Sequence, residues 1–399
     1  MTMMHPHSTS KPTVAFVSTY PPTMCGLATF TASLRSAIGQ NRGASTGIEV
    51  VELTDDPDTQ PDRPEVIASI VPTEPLTMHR AVDRLSNHDV VILQHEYGIW
   101  GPQMGVAVLD FLEMIDAPLI TTLHTLLPRP TAIQTEIIEG LHERSRYTVV
   151  PTRGARELLG DRYRVDTASV VIVPHGTDPP HPSLARLRSS ETARIVSPRL
   201  LSWGLIGPGK GLEWAIRAVA LLVGRWPRIT YTIAGKTHPK VLTSEGEGYR
   251  RSLERLVSDL GIENNVVFID DYISEGRLKG LLLEATAAIL PYDSSEQMVS
   301  GVLVEAISAG VPVIATAFPH AVEMARDGAA VAVPHRNSDA LADAVATLLE
   351  TPTGIREMIR AQRRVSAELD WANVGSRYED LIESAVRGSA KMSRVSTAS

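Results

Sequence analysis

Four corners of the sequence combine residue types able to hold an anion or handle a proton. In TYPPTMCGLATF (19–30), two prolines and Gly26 precede a helical stretch. Such a turn aims unbonded backbone N–H groups at whatever lies beyond it. In LLSWGLIGPGKGLEWAI (200–216), Gly204, Gly207, Gly209, Gly211 and Lys210 make a flexible, cationic corner before a helix. Amides and an ammonium meeting one anion suit a diphosphate. In SSEQMVSGVLVEAISAGVPVIAT (294–316), Ser300-Gly301 opens a short helix whose dipole favours an anion, and Glu305 lies one turn along the same face. A carboxylate there is a poor phosphate ligand but accepts hydrogen bonds from the two vicinal hydroxyls of a ribose, so the combination points to a nucleotide. The fourth corner is a set of histidines, His95, His124, His175 and His238, each directly following a β-run. Every one of these features also has a structural reading: Gly26 closing a turn, Lys210 solvated, Ser300 a plain helix cap with Glu305 facing water, each histidine a surface or core residue.

Several alternative chemistries fail on spacing. No Ser or Thr follows Gly209-Lys210, so the loop is not a Walker A motif, and HExxH is not present. Cys25 precedes a helix but has no evident base, and TDDPD (54–58) falls in a loop rich in Pro and Asp. No metal site is expected.

These corners need strands to position them. From Thr13 the chain alternates β-branched apolar runs with helical-period segments, the pattern of parallel sheets with crossover helices. Expected strands are 13–18, 47–53, 89–93, 118–123, 147–150 and 169–173, then 193–202, 230–235, 265–270, 287–292 and 311–316. In the second series helices are expected around 211–225, 247–259, 275–285, 302–309 and 338–349. Leu27, Phe30, Leu34 and Ile38 fall on one face of a first helix that Gly39 should end. DPPHPSLARLRSSET (178–192) has three prolines and no helical period, and reads as a passage between domains. The expected organisation is a disordered start (1–12), a Rossmann-like domain (13–180), a linker (181–192), a second Rossmann-like domain (193–370), a helix packing back on the first domain (371–387) and a disordered tail (388–399). Ligands of open parallel sheets bind outside the carboxyl ends of the strands, where all four corners lie.

Composition narrows the class. The 399 residues are 43% hydrophobic, enough for two α/β domains, and carry a formal net charge of −8, which argues against a general basic field for nucleic acid. A single cysteine excludes an intrachain disulfide and fits a reducing cytoplasm. No run of about 18 apolar residues spans a bilayer. The helix expected at 152–164 carries four arginines that could touch anionic lipid at the inner membrane face, a solvated basic face being the plainer reading.

Over residues 13–386 the chain resembles the retaining glycosyltransferases of family 4, with their two-domain GT-B fold. FVSTYPPTMCGLATF is similar to the family's first loop, TTLHT to the segment bearing its active-site histidine, VPHGTD to the end of its first domain, GPGKG to its phosphate-lysine loop, and SSEQMVSGVLVEAISAGVPVIAT to its acidic donor motif. There are two departures. The family's two glutamates have seven residues between them, and that spacing from Glu305 meets Gln297, with Glu296 one further back, and Leu205 stands where an arginine is usual. Arg199 is then a candidate second cation beside Lys210. QHEYGIWG, GKTHP and SEQMVSG resemble a branch associated with mannosyl transfer.

The resemblance implies two parallel sheets facing across a cleft, and metal-independent, retaining transfer of a hexose to an acceptor hydroxyl. The donor would be a nucleotide diphosphate sugar, GDP-mannose first and a UDP- or ADP-sugar otherwise, and no cofactor is needed. The acceptor would be a carbohydrate, a lipid-linked or a small molecule. His124, Lys210 and Glu296 are implied as catalytic. Gly26, Lys210, Gln297, Ser300, Gly301, Glu305 and His238 would contact the donor, and His95 and His175 the sugar or acceptor. DDYIS (270–274) is among the loops expected to read the base. A catalytically silent GT-B partner protein and a nucleotide-sugar epimerase are the competing readings.

Overall fold

The computed structural model describes residues 11–43, 47–55, 63–178, 196–294 and 298–396. The chain divides into two compact units, one of residues 1–176 with 371–399 and one of residues 177–370. The passage expected at 181–192 lies outside the described residues.

Seven parallel strands build the first unit: β1 (Val14–Ser18), β2 (Ile48–Leu53), β3 (Val66–Ile70), β4 (Val90–His95), β5 (Leu119–Leu123), β6 (Tyr147–Val150) and β7 (Val170–Ile172), in the order β3-β2-β1-β4-β5-β6-β7. The chain runs outward from β1 to β3 and then restarts at β4 beside β1, so the order reverses between β1 and β4. The helix Gly26–Arg42 lays Phe30, Leu34 and Ile38 against Phe16 and Ile92. It does not end at Gly39, which is buried inside it; the left-handed residue at its end is Gly43, with φ 72°. The helix Trp371–Ser396 packs Val374, Tyr378 and Ile382 into the same core. Gly375 permits the close approach, because a Cβ there would lie 3.0 Å from the Ala37 backbone. Arg42 and Glu379 form an ion pair across the two helices, and Tyr378 Oη sits 2.8 Å from Thr122 Oγ1. The helix continues through Ser396, nine residues into the segment expected as a tail from residue 388. Ala390, Lys391, Met392 and Arg394 are good helix formers and no proline interrupts them.

Six parallel strands build the second unit: β8 (Arg199–Trp203), β9 (Thr230–Ala234), β10 (Val266–Ile269), β11 (Ala287–Leu290), β12 (Val313–Thr316) and β13 (Val331–Val333), in the order β10-β9-β8-β11-β12-β13. Again the order reverses, between β8 and β11. Helices Leu212–Leu222, Gly248–Asp259 and Ser338–Glu350 cover one face; Gly301–Ser308, Pro319–Arg326 and Pro352–Leu369 cover the other. Each sheet therefore has a reversal point, and it is beside those points that the candidate residues gather.

Candidate active site

In the second unit the glycine corner forms between β8 and Leu212–Leu222. Gly211 has φ 61°, and a Cβ there would meet Pro291 O at 2.0 Å, so the turn presses directly on the segment after β11. Gly235, φ 148°, lies as tightly against Gly204 O. These contacts leave no room for a side chain and bring the ends of β8, β9 and β11 together. The Asp293 amide donates to Gly209 O at 2.9 Å, and its Oδ1 accepts from Trp214 Nε1 at 2.9 Å.

Lys210 Nζ stands 4.5 Å above the Tyr292 ring centroid. Tyr292 stacks on Phe318, and its hydroxyl lies 3.4 Å from Ser300 Oγ. Ser300 caps Gly301–Ser308 by accepting from Leu303 N. Its own amide donates to His320 Nδ1 at 3.1 Å. The expectation that the Ser300 amide is an anion donor therefore needs correcting: Gly301 and Val302 are the first-turn amides that no described residue takes up. The anion-binding elements read at 200–216 and 300–301 thus meet around one aromatic ring.

Glu305 Oε2 accepts from Trp203 Nε1 at 2.9 Å. The residue is exposed, yet desolvation by its surroundings raises its pKa above the ordinary 4.5, the tryptophan bond pulling the other way. Its carboxylate keeps one oxygen for a ligand. His238 caps Pro239–Glu245, its Nδ1 accepting from Lys240 N, and desolvation followed by Lys240 and Lys210 lowers its pKa. Glu296 and Gln297 lie outside the described residues.

Arg199 is not beside Lys210. It opens β8, at the end of the strand opposite the corner, and pairs with Glu284 in solvent. Sequence reasoning missed two arginines that are close. Arg250 donates to Gly235 O at 2.6 Å and pairs with Asp270, and Arg336 Nε lies 3.5 Å from Asp293 Oδ1. In DDYIS, Asp270 and Asp271 are engaged by Arg250 and Arg277, while Tyr272 is exposed.

In the first unit Phe30 stands between two of the predicted histidines. Its ring meets His124 edge-on at 4.8 Å and His175 at 5.0 Å, with Trp371 at 5.3 Å. His124 Nε2 lies 2.7 Å from Gln94 Oε1, which assigns the proton to Nε2 and leaves Nδ1 as an acceptor. Burial, then His175 and His95, push its pKa down to about 3, so the ring is neutral at physiological pH. His95 is fully buried against Tyr97, away from any open surface, and burial pushes it to about 3 as well. Its imidazole is therefore not a direct contact for sugar or acceptor in this structure.

Gly26 opens Gly26–Arg42, with Cys25 Sγ capping Ala28 N at 3.4 Å; no atom lies within 4 Å of where a Gly26 Cβ would stand. The loop before it is fixed from below. Glu52, 2% exposed, takes Arg63 at 2.7 and 2.8 Å, and Arg63 also holds Pro21 O. The arginines expected on 152–164 are dispersed: Arg164 lies beyond the helix Arg153–Arg162 and pairs with Glu139. Among the described residues no helix is long and apolar enough to cross a membrane.

Two parallel α/β units with ligand-competent corners at their strand-order reversals define the GT-B class. Residues 42–180 match the family described as Glycosyltransferase Family 4, and residues 197–351 match Glycosyl transferases group 1. The fold is similar to that of Anabaena Alr3699/HepE, solved in complex with UDP, at 16% identity and TM-score 0.71 over 93% of this chain and 99% of that one. It is similar also to sucrose-phosphate synthase from Thermosynechococcus elongatus (18%, TM-score 0.74, 95% and 100%) and to a UDP-forming trehalose-phosphate synthase from Burkholderia xenovorans (13%, 0.67, 94% and 99%). No curated protein matches the sequence significantly. The chain is a GT-B glycosyltransferase.

Proposed function

We propose that the protein transfers a hexose from a nucleoside diphosphate sugar to an acceptor hydroxyl, with retention of anomeric configuration and without a metal. The observation that carries this reading is the convergence of Lys210, Tyr292 and the Ser300-capped helix start at the reversal point of the second sheet. A departing diphosphate gathers negative charge as the sugar becomes cationic, and fixed donors that await that charge lower the barrier. Lys210 and the Gly301 and Val302 amides are such donors. Glu305, held by Trp203, would take the ribose hydroxyls through its free oxygen. His124, neutral and with Nδ1 accepting, would take a hydrogen bond from a sugar or acceptor hydroxyl rather than act as a cation. Glu296 or Gln297 would take the hexose hydroxyls.

The structural relatives that bind UDP support a diphosphate ligand of this kind. The mannosyl-like segments support GDP-mannose as the first donor to try. A thermal-shift panel of UDP, GDP, ADP and their sugars, run in EDTA, tests the reading, because a ligand that binds the folded state raises its melting temperature. One diphosphate and its sugar should stabilise the protein, and NMR of the product should show the donor's anomeric configuration. No stabilisation by any of them would remove the nucleotide-sugar reading.

A further inference from the structure

The phosphates of a nucleoside diphosphate carry more than one negative charge, and Lys210 supplies one positive charge. Leu205 adds none, and Arg199 is committed to Glu284 at the far end of β8. Arg250 is 5% exposed and tied to Gly235 O, Asp270 and Glu247. Arg336 also faces a carboxylate, that of Asp293, but it stands beside the corner itself and is the most exposed of the three arginines. It lies just after β13 in the segment His335-Arg336-Asn337, whose last residue caps Ser338–Glu350. His335 Nδ1 is 2.8 Å from Tyr292 O, which pins the segment to the residue carrying Lys210 on its ring. Asp293, the partner of Arg336 Nε at 3.5 Å, bonds Gly209 O through its amide, and its Oδ1 lies 3.2 Å from where a Gly211 Cβ would stand. One carboxylate thus separates the guanidinium from the turn that presents Lys210. The Arg336 side chain is 66% exposed, so its remaining N–H groups face water and are available. Its backbone has φ 54°, a conformation that strains arginine but not glycine. Strain of that kind is sustained where the side chain's position matters.

We propose that Arg336 is a diphosphate-binding residue, supplying the second positive charge at the Lys210 corner, with Asp293 as its positioning partner. The proposal rests on the nucleoside diphosphate reading above. A planar guanidinium can take two phosphate oxygens at once, which a second lysine could not.

Calorimetry of the full chain with UDP, GDP and ADP, and with uridine, guanosine and adenosine, tests it. Arg336→Gln should weaken the diphosphate that the unmodified protein binds by roughly tenfold or more, the worth of a charge-assisted contact, and leave nucleoside affinity unchanged. Arg336→Lys should recover part of the loss. Arg336→Gly should melt no lower than the unmodified protein, its backbone strain being relieved, and still lose the diphosphate affinity. Equal diphosphate affinity in Arg336→Gln, or parallel losses for nucleoside and diphosphate, would overturn the assignment of Arg336 while leaving the donor reading standing. No diphosphate binding by the unmodified protein would overturn both.

Discussion

Lys210 and Tyr292 face one another as cation and ring, with Nζ 4.5 Å from the centroid. The contact joins the loop after β8 to the segment after β11 and fixes the ammonium in place before any ligand arrives. A half-exposed cation–π pair of this kind contributes about 0.5–1 kcal/mol. Lys210→Ala should therefore lower the melting temperature only slightly. Turnover should fall about a hundredfold, the loss typical of one preorganised donor to a developing anion. Near-normal turnover would take Lys210 out of the reaction.

Glu305 sets stability against binding. Desolvation raises its folded pKa, so the folded state holds the proton more tightly than the unfolded chain does. The stabilising contribution is complete below the unfolded value near 4.5 and is lost as pH rises through the raised value. Glu305→Gln keeps an oxygen for Trp203 Nε1 and removes the charge. At neutral pH it should melt no lower than the unmodified protein but bind nucleoside diphosphate more weakly by calorimetry; unchanged affinity would leave Glu305 a structural role.

The buried histidines work in the opposite direction. The His95 pKa is about 3 when folded and 6.5 when free, so the unfolded chain takes up the proton first. Its stabilising contribution is complete above pH 6.5 and declines as pH falls towards 3, with a slope of at most about 1.4 kcal/mol per pH unit. Urea titrations from pH 7 to pH 4 should show a flatter decline for His95→Gln than for the unmodified protein. A parallel decline would mean that His95 is protonated in the folded state.

Three glycines separate space from backbone strain. Gly211→Ala and Gly235→Ala would drive a Cβ to 2.0 and 1.9 Å from carbonyl oxygens, on backbones already at positive φ. Each should cost about 3 kcal/mol or more in urea unfolding. Gly209, φ 87°, faces open space, and Gly209→Ala should cost about 1 kcal/mol. Equal costs at the three sites would mean that the turn yields to its new side chain.

Much of the second unit's site was legible because its chemistry sits in contiguous segments after strands. Glycines, Lys210, Ser300 and Glu305 each announce a role through their immediate neighbours. Arg336 has no such signal: it reaches the site through a loop whose anchor, His335 to Tyr292, spans 43 residues. The support of the first loop by Glu52 and Arg63 is hidden for the same reason. Arg199 shows the reverse error, since a position near the loop in sequence is a full strand length away in space. The helices beginning at Pro239, Pro319 and Pro352 are masked in the sequence because proline suggests a turn, although at the first helical position it forfeits no bond. The strands Val66–Ile70 and Val331–Val333 are edge strands, short or only half-buried.

The helix Trp371–Ser396 completes a core whose other parts are all laid down by Val173. On the ribosome, the side of that core which Val374, Tyr378 and Ile382 cover must wait open while residues 177–370 are made. At ordinary elongation rates that interval is on the order of ten to forty seconds. The unit encoded first is thus the last to be finished, and a nascent chain stalled before Trp371 presents an open apolar patch that chaperones would have to shield.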